Sequence, residues 1–133
     1  LRVKYAAVGP IGVYFPTRLE TNEDLQREFP EWDMQEIAAK TGVYQRYVAA
    51  PGECASDLAV AAAEKLFTEF AIDRSTIDYV LLCTQTPDYP LPTTACLIQD
   101  RLGLRTDIGA VDFNLGCSGY VYGLSLAEGL IRS

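Results

Sequence analysis

The chain has no histidine anywhere in its 133 residues. Imidazole is therefore excluded as a general base, and so is any zinc site that draws on a His donor. The four cysteines, Cys54, Cys83, Cys96 and Cys117, form no C-x-x-C pair, which argues against a metal site or a redox dithiol. In a chain of this size with no secretory pattern, reduced thiols are the expectation. Basic residues are outnumbered by acidic ones, 11 against 18, for a formal net charge of -7 with no run of like charge. That balance leaves no electrostatic footprint for nucleic acid, and an anionic ligand would need a local basic pocket. No apolar stretch approaches the length of a bilayer span, and residues 1–6 open on a strand-like pattern instead of a signal peptide. The expectation is a cytoplasmic protein that binds neither membrane nor nucleic acid.

What remains is globular, with 49% hydrophobic and 22% charged residues, enough to bury a core. The chain does not start with Met and stops while its last helical pattern is still running. We therefore expect a fragment of a longer protein. Val3 to Phe15 is β-rich, interrupted by Gly9-Pro10 and closed by Pro16, and reads as one strand with a break. Thr21 to Asp24 offers side-chain oxygens to cap a short helix through Phe29. A second short helix covers Asp33 to Lys40 and stops at Thr41-Gly42, followed by an extended piece from Val43 to Val48. From Ser56, a good N-cap, to Ala71, the apolar residues Leu58, Ala62, Leu66 and Phe70 recur every four positions. Then come the buried-strand pattern Tyr79–Cys83, a Pro-rich loop to Pro92, and a helix capped by Thr93-Thr94. A strand from Ile108 to Phe113 and a helix from Ser118 to Arg132 close the sequence. This alternation predicts an α/β fold, a mostly parallel sheet flanked by helices, with ligands gathering at the carboxyl ends of the strands.

Cys117 falls at such an end, in the turn Asn114-Leu-Gly116 between the last strand and the last helix. A thiol there faces unsatisfied backbone N–H groups and the positive end of a helix dipole, which favour the thiolate, the reactive form. Gly116 and Gly119 would keep the approach to the sulfur free of side chains. Spacing alone leaves a second reading open, in which Cys117 is a small buried hydrophobe. Cys83 and Cys96 read as core residues, and Cys54 as a loop thiol.

A set of residues carries a resemblance. Thr41-Gly42-Val43, Arg46, Ala49-Ala50-Pro51, Pro92 to Cys96 with Ile98-Gln99, Leu102-Gly103, and above all Asp112-Phe-Asn-Leu-Gly-Cys117-Ser-Gly-Tyr-Val-Tyr-Gly123 follow in order along the chain. Together they resemble the N-terminal part of β-ketoacyl-acyl carrier protein synthase III, a thiolase-fold condensing enzyme, nearly end to end apart from about a residue near Thr106. The resemblance implies that Cys117 takes an acyl group from acyl-CoA or another acyl thioester. Malonyl-acyl carrier protein is then decarboxylated and attacks that thioester in a Claisen condensation that initiates fatty acid synthesis. It implies no metal and no cofactor, acyl carrier protein as a partner, a homodimer joined through residues 109 to 114, and the Cys117 N–H as oxyanion donor. It also implies that the chain is an N-terminal half-domain, 1–133, truncated before its last strands, and that a carbanion-stabilising His and Asn come from a second half that this sequence does not contain, so the chain alone should at most accept an acyl group without condensing it.

Other correspondences depart from the pattern. Lys40 stands where the resemblance implies a phosphate-contacting Arg, keeping the charge without the bidentate fork. Glu36 stands where a Trp would stack on the CoA adenine, and Trp32 lies one helical turn earlier. Leu91 matches a residue that reaches into the partner's acyl pocket and bears on primer length. Two alternatives stay open: a non-catalytic dimerisation or scaffold half-domain, and a related enzyme such as a thiolase, a hydroxymethylglutaryl-CoA synthase or a type III polyketide synthase.

Overall fold

The computed structural model describes residues 5–133; Val3, where the first strand was expected to begin, lies outside the described residues. The chain divides into two compact units, Phe15–Glu53 and the N-terminal segment through Tyr14 together with Cys54–Ser133. The smaller unit contains β1 (Arg18–Thr21), α1 (Asn22–Glu28), α2 (Met34–Thr41) and β2 (Gln45–Val48). The larger contains α3 (Ala55–Phe70), β3 (Tyr79–Cys83), α4 (Thr94–Arg101), β4 (Gly109–Phe113) and α5 (Gly119–Arg132), with a single 3-10 turn at Arg74–Thr76.

In the smaller unit, α1 begins as expected. The Thr21 hydroxyl accepts from the Asp24 N–H at 3.2 Å and the Asp24 carboxylate accepts from the Thr21 N–H at 2.9 Å, which satisfies two donors that a helix start leaves free. α2 is capped by Asp33, which accepts from the Glu36 N–H at 2.8 Å, and ends at Gly42 in the left-handed region, φ 73°. Pairing of β1 with β2 is antiparallel, Arg18 opposite Val48. β1 carries little strand signal of its own, with Leu19 its one apolar residue and Thr21 its one β-branched residue, and it is a strand because β2 is there to pair with it. Asn22 locks the unit, donating to the Val43 carbonyl at 3.0 Å and accepting from Arg46 at 2.6 Å.

In the larger unit, β3 and β4 pair in parallel, Tyr79 opposite Gly109 through Cys83 opposite Phe113. Alternation along the strands sends Val80, Leu82 and Asp112 to one face and Tyr79, Cys83 and Phe113 to the other. The first face packs on α4, where Phe67, Ile98, Leu102 and Leu104 form the buried core with Val80 and Leu82 against it. The second face carries α5. A Cβ at Gly119 would lie 2.3 Å from the Cys83 sulfur, and one at Gly123 would lie 3.1 Å from the Phe113 ring, so the two glycines let α5 lie close on the strand pair.

Three expectations are corrected here. Residues 5–15 form no strand: no described segment runs beside them to take their backbone hydrogen bonds. The segment lies instead on α3, where a Cβ at Gly12 would lie 2.6 Å from the Ala62 carbonyl oxygen. Ser56 does not cap α3. Cys54 occupies the N-cap position, Asp57 accepts from its N–H at 2.7 Å, and Ser56 is buried in the first turn. Thr93 is at the N-cap of α4 but makes no side-chain cap. The Asp112 carboxylate, arriving from β4, accepts from the Thr94 and Ala95 N–H groups at 2.7 Å each, and a charged acceptor outcompetes a hydroxyl.

Two stability measurements follow from these caps. Asp112→Ala strands two amides on fully buried residues and should cost about 3 kcal/mol in urea unfolding, with Asp112→Asn losing less. The N–H of Cys54, then Arg101, holds the Asp57 carboxyl below its ordinary 3.8. A depressed carboxyl contributes stability that is complete above its unfolded-state value and lost as pH falls through the folded one. The gap in urea midpoint between the native chain and Asp57→Asn should therefore be full at neutral pH and close as pH drops below 3.8.

Candidate active site

Cys117 is exposed, in the turn between the carboxyl end of β4 and α5, one residue before the Ser118 N-cap. The turn is tied by the Gly119 N–H donating to the Gly116 carbonyl at 2.8 Å, and α5 takes up its ladder with Tyr122 N–H to the Ser118 carbonyl at 3.1 Å. The Cys117 N–H donates to no protein group among the described residues, so it is free for a ligand oxygen. On the Gly116 side the approach is open, with the Gln85 amide 3.9–4.0 Å from where a Cβ would sit. Gly119 has a different part from the one expected of it: it is buried against Cys83 and Leu115, so it seats the helix and does not clear a path to the sulfur.

The neighbouring strand supplies the other rim. The Thr84 N–H donates to the Phe113 carbonyl at 3.2 Å, which brings the start of the loop 84–93 beside the Cys117 turn. Leu91, in that loop, is 81% exposed and precedes a cis Leu91–Pro92 bond. Cys83 and Cys96 are exposed and not core residues. Cys83 ends its strand beside the turn, with its thiol donating to the Leu115 carbonyl at 3.6 Å, and Cys96 accepts from the Thr93 hydroxyl at 3.2 Å on the outer side of α4.

Trp32 and Lys40 belong to the smaller unit. Trp32 stacks on Phe29 with ring centroids 4.3 Å apart and keeps its other face exposed. Lys40 is exposed and ion-paired with Glu36 at 2.5 Å. The same unit holds an open hollow of about 730 Å³ lined by Asn22, Gln26, Arg27, Met34, Ala38 and Tyr44 among others, and neither Trp32 nor Lys40 lines it. Among the described residues, no cluster of His, Cys, Asp or Glu could hold a metal ion, and no helix is long and apolar enough to cross a membrane.

Sequence reasoning missed two site-building residues, Asp112, which caps the start of α4, and Asp88, whose carboxylate accepts from the Ser56 N–H at 3.0 Å and so ties the loop 84–93 to α3. A carboxylate inside the apolar run 108–113 was the available signal, because a charged group there needs donors from elsewhere in the fold. Asp88, in a Pro-rich turn, carries no such mark.

An α/β unit with an exposed thiol at the end of a parallel strand and the start of a helix is the arrangement of the thiolase-like condensing enzymes. Comparison with known proteins gives the family. Over 122 residues the chain is 43% identical to β-ketoacyl-[acyl-carrier-protein] synthase III of Nitratidesulfovibrio vulgaris, covering 92% of this chain and 36% of that protein. With the Roseiflexus synthase III it shares 43% over 129 residues, 97% of this chain and 39% of that one. A solved 3-oxoacyl-(acyl-carrier-protein) synthase III superposes with a TM-score of 0.85 at 53% identity, over 93% of this chain and 37% of that one. No protein-family model matches the chain. The resemblance to β-ketoacyl-acyl carrier protein synthase III therefore holds in sequence and in fold, and the chain spans about 36–40% of the length of the curated relatives it matches.

The contact between Gly119 and Cys83 is testable. Gly119→Ala should destabilise the chain by about 1–3 kcal/mol through overpacking, and adding Cys83→Ala should recover much of the loss, read as a coupling in a double-mutant cycle.

Proposed function

We propose that this chain is the acyl-accepting N-terminal half-domain of a condensing acyltransferase of the β-ketoacyl-acyl carrier protein synthase III type, with Cys117 as its nucleophile. The observation that carries the reading is an open thiol, with its own N–H unspent, between a parallel strand and a helix start. The Cys117 thiolate adds to the carbonyl carbon of an acyl thioester, and the oxyanion that forms is met by the Cys117 N–H. Collapse expels the donor thiolate and leaves the acyl group on the sulfur. In the whole enzyme, malonyl-acyl carrier protein loses carbon dioxide, and its carbanion attacks the Cys117 thioester. That step releases the sulfur and forms a β-ketoacyl chain on the carrier. No metal or organic cofactor enters this route.

The carbanion needs donors that a chain without histidine does not provide, so we assign condensation to a second half. Lys40 and Trp32 are assigned to an acyl-CoA donor, Lys40 by exchanging Glu36 for a phosphate and Trp32 by offering its uncovered face to a ring. Leu91 is assigned to the acyl pocket of a partner subunit in a cytoplasmic homodimer that pairs along 109–114. What supports that edge is that β4 pairs with β3 alone among the described residues.

Intact-mass spectrometry after incubation with acetyl-CoA should find one acetyl group on Cys117, absent in Cys117→Ala. With malonyl-acyl carrier protein added, the chain alone should yield no condensed product. Iodoacetamide should label Cys117 ahead of Cys54, Cys83 and Cys96, all of which are exposed. Equal rates at the four thiols, with no acyl adduct, would return the chain to the scaffold reading.

A further inference from the structure

In the loop that forms one rim of the Cys117 mouth, Asp88 pegs the middle to the rest of its unit. Its carboxylate accepts from the Ser56 N–H in the first turn of α3 at 3.0 Å, and its own N–H donates to the Thr94 hydroxyl at the start of α4, also at 3.0 Å. Both partners are closed off from solvent, Ser56 at 3% and Thr94 at 0% exposure. Beyond them the connections continue. The Thr94 N–H reaches the Asp112 carboxylate on the strand that leads to Cys117, and the Ser56 hydroxyl accepts from Arg101 at 2.7 Å. The start of the loop is fixed by the Thr84 N–H on the Phe113 carbonyl. Between these two attachments Gln85 stands beside Gly116, and after Asp88 the loop exposes Tyr89 and Leu91 to solvent.

We propose that Asp88 is a positioning residue that sets the height of the 84–93 rim against the Cys117 turn and so governs the size of acyl group that reaches the sulfur. The proposal rests on the acyl-accepting role of Cys117 for its substrate class. The physical argument is that a mouth discriminates chain length only if its wall holds still. Each methylene admitted or refused is worth about a factor of ten or more in rate when the wall is fixed, and little when it yields. Pro87, Pro90 and Pro92 stiffen the loop from within, but stiffness does not fix where it stands. Asp88 does, through two bonds shielded from competing water.

The test compares the full chain with Asp88→Ala, Asp88→Asn and Thr94→Val. Cys117 acylation rates are measured with acetyl-CoA and octanoyl-CoA, and Cys117 alkylation rates with N-methylmaleimide and N-octylmaleimide. Asp88→Ala and Thr94→Val should move the short-to-long ratio about tenfold toward one in each pair. Asp88→Asn, whose amide oxygen still accepts from Ser56, should stay within about twofold of the native ratio. A uniform fall in both rates with the ratio kept overturns the proposal, since a general loss of stability would act that way. If the native chain takes neither thioester while the maleimide ratio shifts as stated, the acyltransferase reading fails and the positioning role stands. Should Asp88→Ala not fold, hydrogen exchange on the native chain decides: the Ser56, Asp88 and Thr94 amides should open together, and independent rates overturn the proposal.

Discussion

One carboxylate organises the larger unit. Asp112 sits inside a strand whose neighbours are apolar, and it is tolerable there because the first two N–H groups of α4 turn toward it at 2.7 Å. The bond pair does two things together. It supplies the cap that Thr93 does not make, and it ties the start of one helix to the strand whose end carries Cys117. The alternation of side chains then follows from that choice of face: Asp112 down onto α4, Phe113 up beneath α5. The sulfur is held where these two layers meet the end of the strand pair.

The smaller unit is built on another economy. Asn22 spends its side chain on Val43 and Arg46, stitching the first helix to the second strand where a hydrophobic core would be too small to suffice. Its exposed aromatic and cationic groups are already engaged with neighbours, Trp32 with Phe29 and Lys40 with Glu36. A ligand binding there would have to exchange these contacts, whereas the Cys117 amide has none to give up.

Much of this was legible in the residues. Tyr79–Cys83 is a strand to the residue, because a short continuous apolar run between turns has little else to become. The Cys117 turn was legible because a strand pattern, a Gly-bearing break and a helical pattern meet there. Most of the losses share a cause, a partner distant in sequence. β1 exists through β2, residues 5–15 are irregular because no described strand runs beside them, and the cap of α4 comes through Asp112; the α3 cap is local but shifted, with Asp57 on the Cys54 N–H in place of Ser56. Local preference cannot register an acceptor that arrives from 17 or 18 residues away, as Asp112 does.

The wall beside the sulfur is held by backbone at Thr84 and by Asp88 in its middle, while Gln85, Thr86, Tyr89 and Leu91 are exposed between and beside these anchors. Such a scaffold separates what must persist from what can drift. Side chains along the span can be exchanged for larger, smaller or more polar ones without unpicking a helix start or a strand, so a lineage of this kind can reshape that wall by changing a few surface residues and leave its folding untouched.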